Sequence, residues 1–122
     1  MAKKILVVDD EENFLSLLKD ALEIRGFEVI ATSSAIEAGI ELASKVPDLI
    51  LMDIKMPGID GFQAIESIKR NPITKNIPVM IVSAHADPSY AKKAAKIGVR
   101  EYFIKPVDIE KLMLKVKEIL GA

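Results

Sequence analysis

The chain has 122 residues, half of them apolar and 29% charged, with a formal net charge of −1. That is the make-up of one ordinary globular domain, able to bury about two-thirds of its unfolded surface, and its charge argues against bulk attraction to nucleic acid or an anionic membrane. Having no cysteine, it can hold no disulfide framework, thiolate metal site or cysteine nucleophile.

The first apolar run, Ile5-Leu6-Val7-Val8, is too short for a signal peptide, and no segment approaches the ~20 apolar residues of a membrane span. A cytoplasmic protein is expected. That run reads as a strand buried on both faces, and it ends in Asp9-Asp10. Phe14, Leu17, Leu18, Ala21 and Leu22 then form an amphipathic helical stripe, closed by Gly26 as a left-handed cap. Phe27, Val29 and Ala31 alternate with Glu28, Ile30 and Thr32, the pattern of a strand near a sheet edge. Ser34 with Glu37 is a capping-box signature, opening a second helix with the stripe Ala35, Ala38, Gly39, Leu42 and Ala43.

A third buried run, Leu49 to Met52, delivers Asp53 into a turn-rich stretch from Ile54 to Gly61. Asp60 is placed to cap the next helix, with Gln63 as capping-box partner and Ala64, Ile65 and Ile68 facing inward; Asn71-Pro72 stops it. Val79 to Val82 is a fourth run, ending at Ser83. Asp87-Pro88 is a cap followed by a first-turn proline, and Ala91, Ala94 and Ala95 give that helix a small-residue face up to Gly98. Tyr102-Phe103-Ile104 runs into Lys105-Pro106. Asp108 caps the last helix, with the stripe Ile109, Leu112, Met113, Val116 and Leu120. Strands alternating with helices predict a doubly wound α/β fold, a parallel five-stranded sheet with helices on both faces. The last helix ends two residues from the end of the sequence, so a single domain over residues 1–122 with no output domain is expected.

Four polar sites follow the carboxyl ends of buried strands: Asp9 with Asp10, Asp53, Ser83 and Lys105. Parallel strands bring those ends to one rim, where ligands of open α/β sheets bind. Clustered carboxylates repel unless a cation intervenes, and oxygen ligands without His or Cys suit a hard ion, Mg²⁺ before all. A metal, an ammonium and a hydroxyl around a nucleophilic carboxylate make a site for phosphoryl transfer, with an acyl phosphate at Asp53 as the covalent product.

On these residues the chain resembles the receiver domain of two-component response regulators, of the single-domain chemotaxis-regulator kind. The match runs through Val8-Asp9-Asp10, Asp53 with Met56-Pro57 and Asp60-Gly61, Ser83-Ala84, and Tyr102 with Lys105-Pro106. The resemblance implies a flavodoxin-like fold with strand order 2-1-3-4-5 and Asp53 as phosphoacceptor. It implies that Asp10, Asp53 and the Lys55 backbone carbonyl hold Mg²⁺ (Mn²⁺ being the alternative ion), with Asp9 acting through a bound water. It further implies that Lys105 pairs with the phosphoryl group beside a cis Lys105-Pro106 peptide, and that Ser83 and Tyr102 are the switch residues. Phosphorylation would then reshape the face of the fourth helix, fifth strand and fifth helix, and hydrolysis would reset it. The expected partners are a histidine kinase or histidine phosphotransfer protein and a downstream protein target, with no nucleic acid and no membrane. The chain is expected to be a monomer, a dimer through the Tyr102 face being the alternative once phosphorylated.

Each residue also has a plainer reading: Asp60 as a cap, Lys105 as a solvated lysine, Tyr102 as an edge aromatic, Lys55 and His85 as solvent-facing. Lys55 and His85 each lie two residues past a site residue, which makes them candidates for tuning the lifetime of the phosphorylated form. The rival reading is a Mg²⁺-dependent aspartyl-phosphate phosphatase, in which a second Asp usually stands two residues after the nucleophile; Lys55 stands there instead. A flavin or nucleotide carrier would need a phosphate loop where Asp9, Asp10, Glu11 and Glu12 stand. A phosphoacceptor, and not an enzyme acting on outside substrates, uses every rim residue.

Overall fold

Runs of apolar residues without alternation need cover on both faces of a sheet, and the computed structural model, which describes residues 2–56 and 58–121, gives them that cover. In chain order the elements are β1 (Lys4–Val8), α1 (Glu12–Ile24), β2 (Glu28–Thr32), α2 (Ala35–Ser44), β3 (Leu49–Met52), β4 (Lys55–Met56), β5 (Ile59–Asp60), α3 (Gly61–Arg70), β6 (Val79–Ser83), α4 (Pro88–Lys96), β7 (Glu101–Ile104) and α5 (Ile109–Leu120). β1, β2, β3, β6 and β7 form one parallel sheet in the order β2-β1-β3-β6-β7. Counting only those strands, this is the expected 2-1-3-4-5 order. The stretch after Asp53, expected as a turn, is instead a small antiparallel pair, Lys55 opposite Asp60 and Met56 opposite Ile59. Pro57 of the expected motif lies outside the described residues.

Successive strand residues point to opposite faces, so the sheet separates two cores. Leu6, Ile50, Met52 and Ile81 pack with Phe62, Ile65 and Ile68 of α3 and Ala94 of α4 on one side. Ile5, Val7, Leu51 and Met80 pack with Leu18 and Leu22 of α1 and Leu112 and Val116 of α5 on the other. Each of these larger side chains, fully removed from water, contributes about 1.5–3 kcal/mol, Ala94 less.

Local chemistry sets the helix boundaries. Ser34, Asp60, Asp87 and Asp108 cap α2, α3, α4 and α5 through their side-chain oxygens. Gly26, at φ +91°, turns the chain out of α1 as expected. Two details differ from a reciprocal capping box. Asp60 accepts from Phe62 N at 2.9 Å, and the Glu37 carboxylate accepts from Ser33 N at 3.2 Å.

Burial departs from the sequence pattern where helices lie shallow. Leu17 is 52% exposed, so the inward face of α1 is Leu18, Ala21 and Leu22. In α2 only Ala38 is buried, and in α4 only Ala94; Gly39, Ala43, Ala91 and Ala95 are exposed, because such short side chains reach the sheet only where the helix axis comes closest. In the edge strand β2, Ala31 is exposed and Thr32 is buried, its hydroxyl donating to Val7 O at 3.1 Å. Among the described residues no helix is long and apolar enough to cross a membrane.

Candidate functional site

Three of the rim residues are fixed by a backbone hydrogen bond reaching one residue past the strand. Asp9 N donates to Thr32 O (3.1 Å), Asp53 N to Val8 O (3.0 Å) and Lys105 N to Ser83 O (2.8 Å). The ladder of the sheet therefore extends to the site residues, and the site inherits its rigidity from the core. The Lys105-Pro106 peptide is cis, as the resemblance implied.

The acidic residues meet as expected. Carboxylate oxygens of Asp9, Asp10 and Asp53 all lie within 4.8 Å of one another. Asp9 and Asp53 are buried, whereas Asp10 is exposed. Lys105 Nζ reaches into the cluster, 2.7 Å from Asp9 Oδ2, 3.2 Å from Glu11 Oε1 and 3.5 Å from Asp53 Oδ2. Asp53 Oδ1 accepts from Lys55 N at 3.1 Å, and Asp9 Oδ1 from Glu11 N at 2.9 Å.

The electrostatics of the Asp9–Lys105 pair are uneven. Burial pushes the Asp9 carboxyl above its ordinary value, against the hydrogen bond and charge of Lys105. Burial also opposes the Lys105 charge, but Asp9, with Asp53 and Glu11 beyond it, carries the ammonium above the usual lysine range. Because the folded form holds the Asp9 proton longer than the unfolded chain does, its contribution to stability falls as pH rises from the ordinary carboxyl value through the raised one.

The donor set fits Mg²⁺: three carboxylates on one rim, oxygen throughout, with no histidine or thiolate. Asp9 already has both oxygens engaged, which suits contact through water, while Asp10 accepts no hydrogen bond among the described residues and is free to ligate directly.

Ser83 is fully buried, and its Oγ accepts from His85 N at 3.3 Å. Tyr102 Oη donates to His85 O at 2.6 Å, and burial pushes its phenol up. Ser83 and Tyr102 are thus joined through the backbone of one residue. The His85 ring packs edge-on against Tyr90 of α4, centroids 6.1 Å apart, and the Lys55 side chain is exposed.

Two contributors were not foreseen as site residues. Glu11 shares Lys105 with Asp9, and the Phe14 ring lies under the same ammonium, its centroid 4.3 Å from Nζ. Phe14 occupies a position in an apolar stripe, so the sequence offered only a core reading. Glu11 adjoins Asp9-Asp10, and its acidic character was the one available signal.

Comparison with known proteins places this geometry. The response regulator receiver domain family matches residues 5–117. The polar-differentiation response regulator DivK of Brucella ovis is 34% identical over 122 residues, 99% of this chain and 98% of that protein. The phosphate regulon transcriptional regulatory protein PhoB of Rhizobium meliloti is 34% identical over 120 residues, and the chain spans about half, 53%, of its length. A crystal structure of a CheY-like response regulator receiver domain protein from Methanospirillum hungatei superposes with a TM-score of 0.92, at 29% identity, covering 99% of this chain and 95% of that one.

Proposed function

Because this chain belongs to the response regulator receiver domain family, we propose that it is a signalling switch written at Asp53. The observation that carries the reading is a buried Asp53 whose carboxylate lies within reach of two further aspartates and of the Lys105 ammonium. An Asp53 oxygen attacks the phosphorus of a phosphohistidine on a histidine kinase or histidine phosphotransfer protein. The P–N bond breaks, and its electron pair leaves with the imidazole, which takes up a proton. Asp10, Asp53 and the Lys55 carbonyl would hold Mg²⁺, with Asp9 acting through water; when bound, the ion would neutralise charge building on the phosphoryl oxygens. Lys105 passes from Asp9 toward a phosphoryl oxygen, and the Ser83 hydroxyl donates to another. Water then attacks the acyl phosphate, releasing inorganic phosphate and restoring the carboxylate.

Ser83 and Tyr102 share His85 as a backbone link, which supports a movement of Ser83 altering the α4–β7–α5 face for a downstream protein target. The change extends only as far as phosphorylation prefers one arrangement over the other. The protein acts in the cytoplasm as a monomer.

The test is intact mass of the wild-type protein after Mg²⁺ and acetyl phosphate, with borohydride trapping to map the adduct. One phosphoryl group per chain is expected in the intact mass, mapped after borohydride as homoserine at position 53, and not formed when EDTA is present from the start. Mapping to another residue, or rapid multi-turnover hydrolysis of phosphate esters without an adduct, overturns the reading in favour of a different acceptor or a phosphatase.

Lys55 and His85, each two residues past a site residue, tune the lifetime of this adduct. A long cation at Lys55 contacts a phosphoryl oxygen and obstructs the in-line water. Lys55→Asn is expected to shorten the phosphoryl half-life severalfold in a phosphorus NMR time course. An equal or longer half-life removes Lys55 from that role.

A further inference from the structure

Beside the acidic rim, between α3 and α4, an open groove of about 520 Å³ has an apolar floor of Ile54, Met56 and Phe62. Those three side chains are buried. One wall carries Lys55 from β4; the other carries Tyr90 and Lys93 from α4. The rings of Phe62 and Tyr90 are tilted at 55° with centroids 5.8 Å apart, and Lys93 Nζ rests 4.6 Å from the Phe62 centroid. Among the described residues, neither Lys55 nor Lys93 forms an ion pair. α4 also carries Lys92 and Lys96 and contains no acidic residue.

We infer that this groove docks an acidic segment of a partner protein, seating one apolar side chain against Tyr90 above the apolar floor, between carboxylates that face Lys55 and Lys93. Charge complementarity selects the class of ligand: a chain whose net charge is −1 presents cations on both walls of an apolar channel. The placing of the cations on different elements, and the use of Lys93 by the floor, favour a peptide over a phosphate. A phosphate site needs donors that converge. Here Lys55 and Lys93 come from different elements, Lys93 Nζ already rests over the Phe62 ring, and the first free amide of α3, that of Phe62, is taken by Asp60 Oδ1. Asp60 is the groove's single acid, and this bond engages one of its oxygens. An apolar anchor gains by covering the partly exposed Tyr90 ring, and flanking carboxylates gain from lysines that give up no partner acid. The groove lies on the α3 side of α4, and docking there requires no phosphorylation of Asp53.

The experiment titrates the ¹⁵N-labelled protein, at low ionic strength, with the capped peptide Glu-Asp-Phe-Asp-Glu. Amide shifts are expected to centre on Lys55, Phe62, Tyr90 and Lys93. Lys93→Glu should weaken binding about tenfold or more and Lys93→Gln by less, whereas Lys115→Glu on α5 should leave it unchanged. The amide spectrum of each variant verifies that it is folded. The inference is overturned by shifts that are absent or centred elsewhere, by equal weakening from Lys115→Glu, or by equal binding of the same peptide with Ala in place of Phe. Tighter binding of inorganic phosphate or ATP at the same amides also overturns it.

Discussion

Asp53→Asn will fold, bind Mg²⁺ more weakly and acquire no phosphoryl group from acetyl phosphate. The amide oxygen is a far poorer nucleophile than a carboxylate, and attack through the nitrogen would destroy amide resonance, so the acceptor step stops altogether. The fold should not suffer. Lys105 sits closest to Asp9, at 2.7 Å, and only 3.5 Å from Asp53, so the tighter ion pair survives. Removing one of three carboxylates whose oxygens lie within 4.8 Å of one another relieves repulsion, and the metal-free variant should melt at or above the wild-type temperature. Intact mass reads the adduct, and a thermal scan with and without Mg²⁺ reads the rest. An adduct persisting in the variant would move the acceptor away from Asp53. A lower midpoint without metal would show that this carboxylate stabilises the fold more than it strains it.

Gly61→Ala will lower stability by about 3 kcal/mol, which for a domain of this size is roughly 10 °C in thermal midpoint. Gly61 is the first residue of α3 and lies against the backbone of Ile54, to whose carbonyl its amide donates at 3.0 Å. A Cβ there would stand 2.8 Å from the Ile54 oxygen and 2.9 Å from its carbonyl carbon, with the Ile54 Cα nearer still. Neither partner is a side chain that can swing away, so helix and loop must part. Ile54 immediately follows Asp53, and Lys55 N holds Asp53 Oδ1, so the same displacement disturbs that carboxylate. The control is Gly39→Ala, where a Cβ meets nothing within 4 Å in the middle of α2. There the identical change should stabilise by about 0.5–1 kcal/mol through the unfolded chain. A midpoint unchanged by Gly61→Ala would show that the contact relaxes freely.

Much of this was legible in the residues because single segments encode it. Runs such as Leu49 to Met52 announce doubly buried strands, and a polar residue ending each run marks the rim. The convergence of Asp9, Asp10, Asp53 and Lys105 followed from parallel strands sharing one rim, while the order of the strands came with the family resemblance. Side-chain depth was less legible. Apolar spacing says which way Leu17 or Ala95 points, but not how far a helix stands from the sheet. The β4–β5 pair escaped because two-residue strands carry no periodicity. Glu11 and Phe14 escaped for another reason. Their roles arise from where Lys105 arrives, more than ninety positions along the chain, and no local pattern holds that information.

The sheet's division of the interior has an evolutionary consequence. Stability changes at sites without shared partners add, whereas neighbours couple, and the side chains of the two cores are separated by the backbone of the sheet. Repacking under α1 and α5 can proceed without repacking under α3 and α4. The Lys105 side and the Lys55–Lys93 groove lie over different halves of that interior. Lineages of such a chain can therefore repack one flank while the other stays fixed, with the acidic rim common to both.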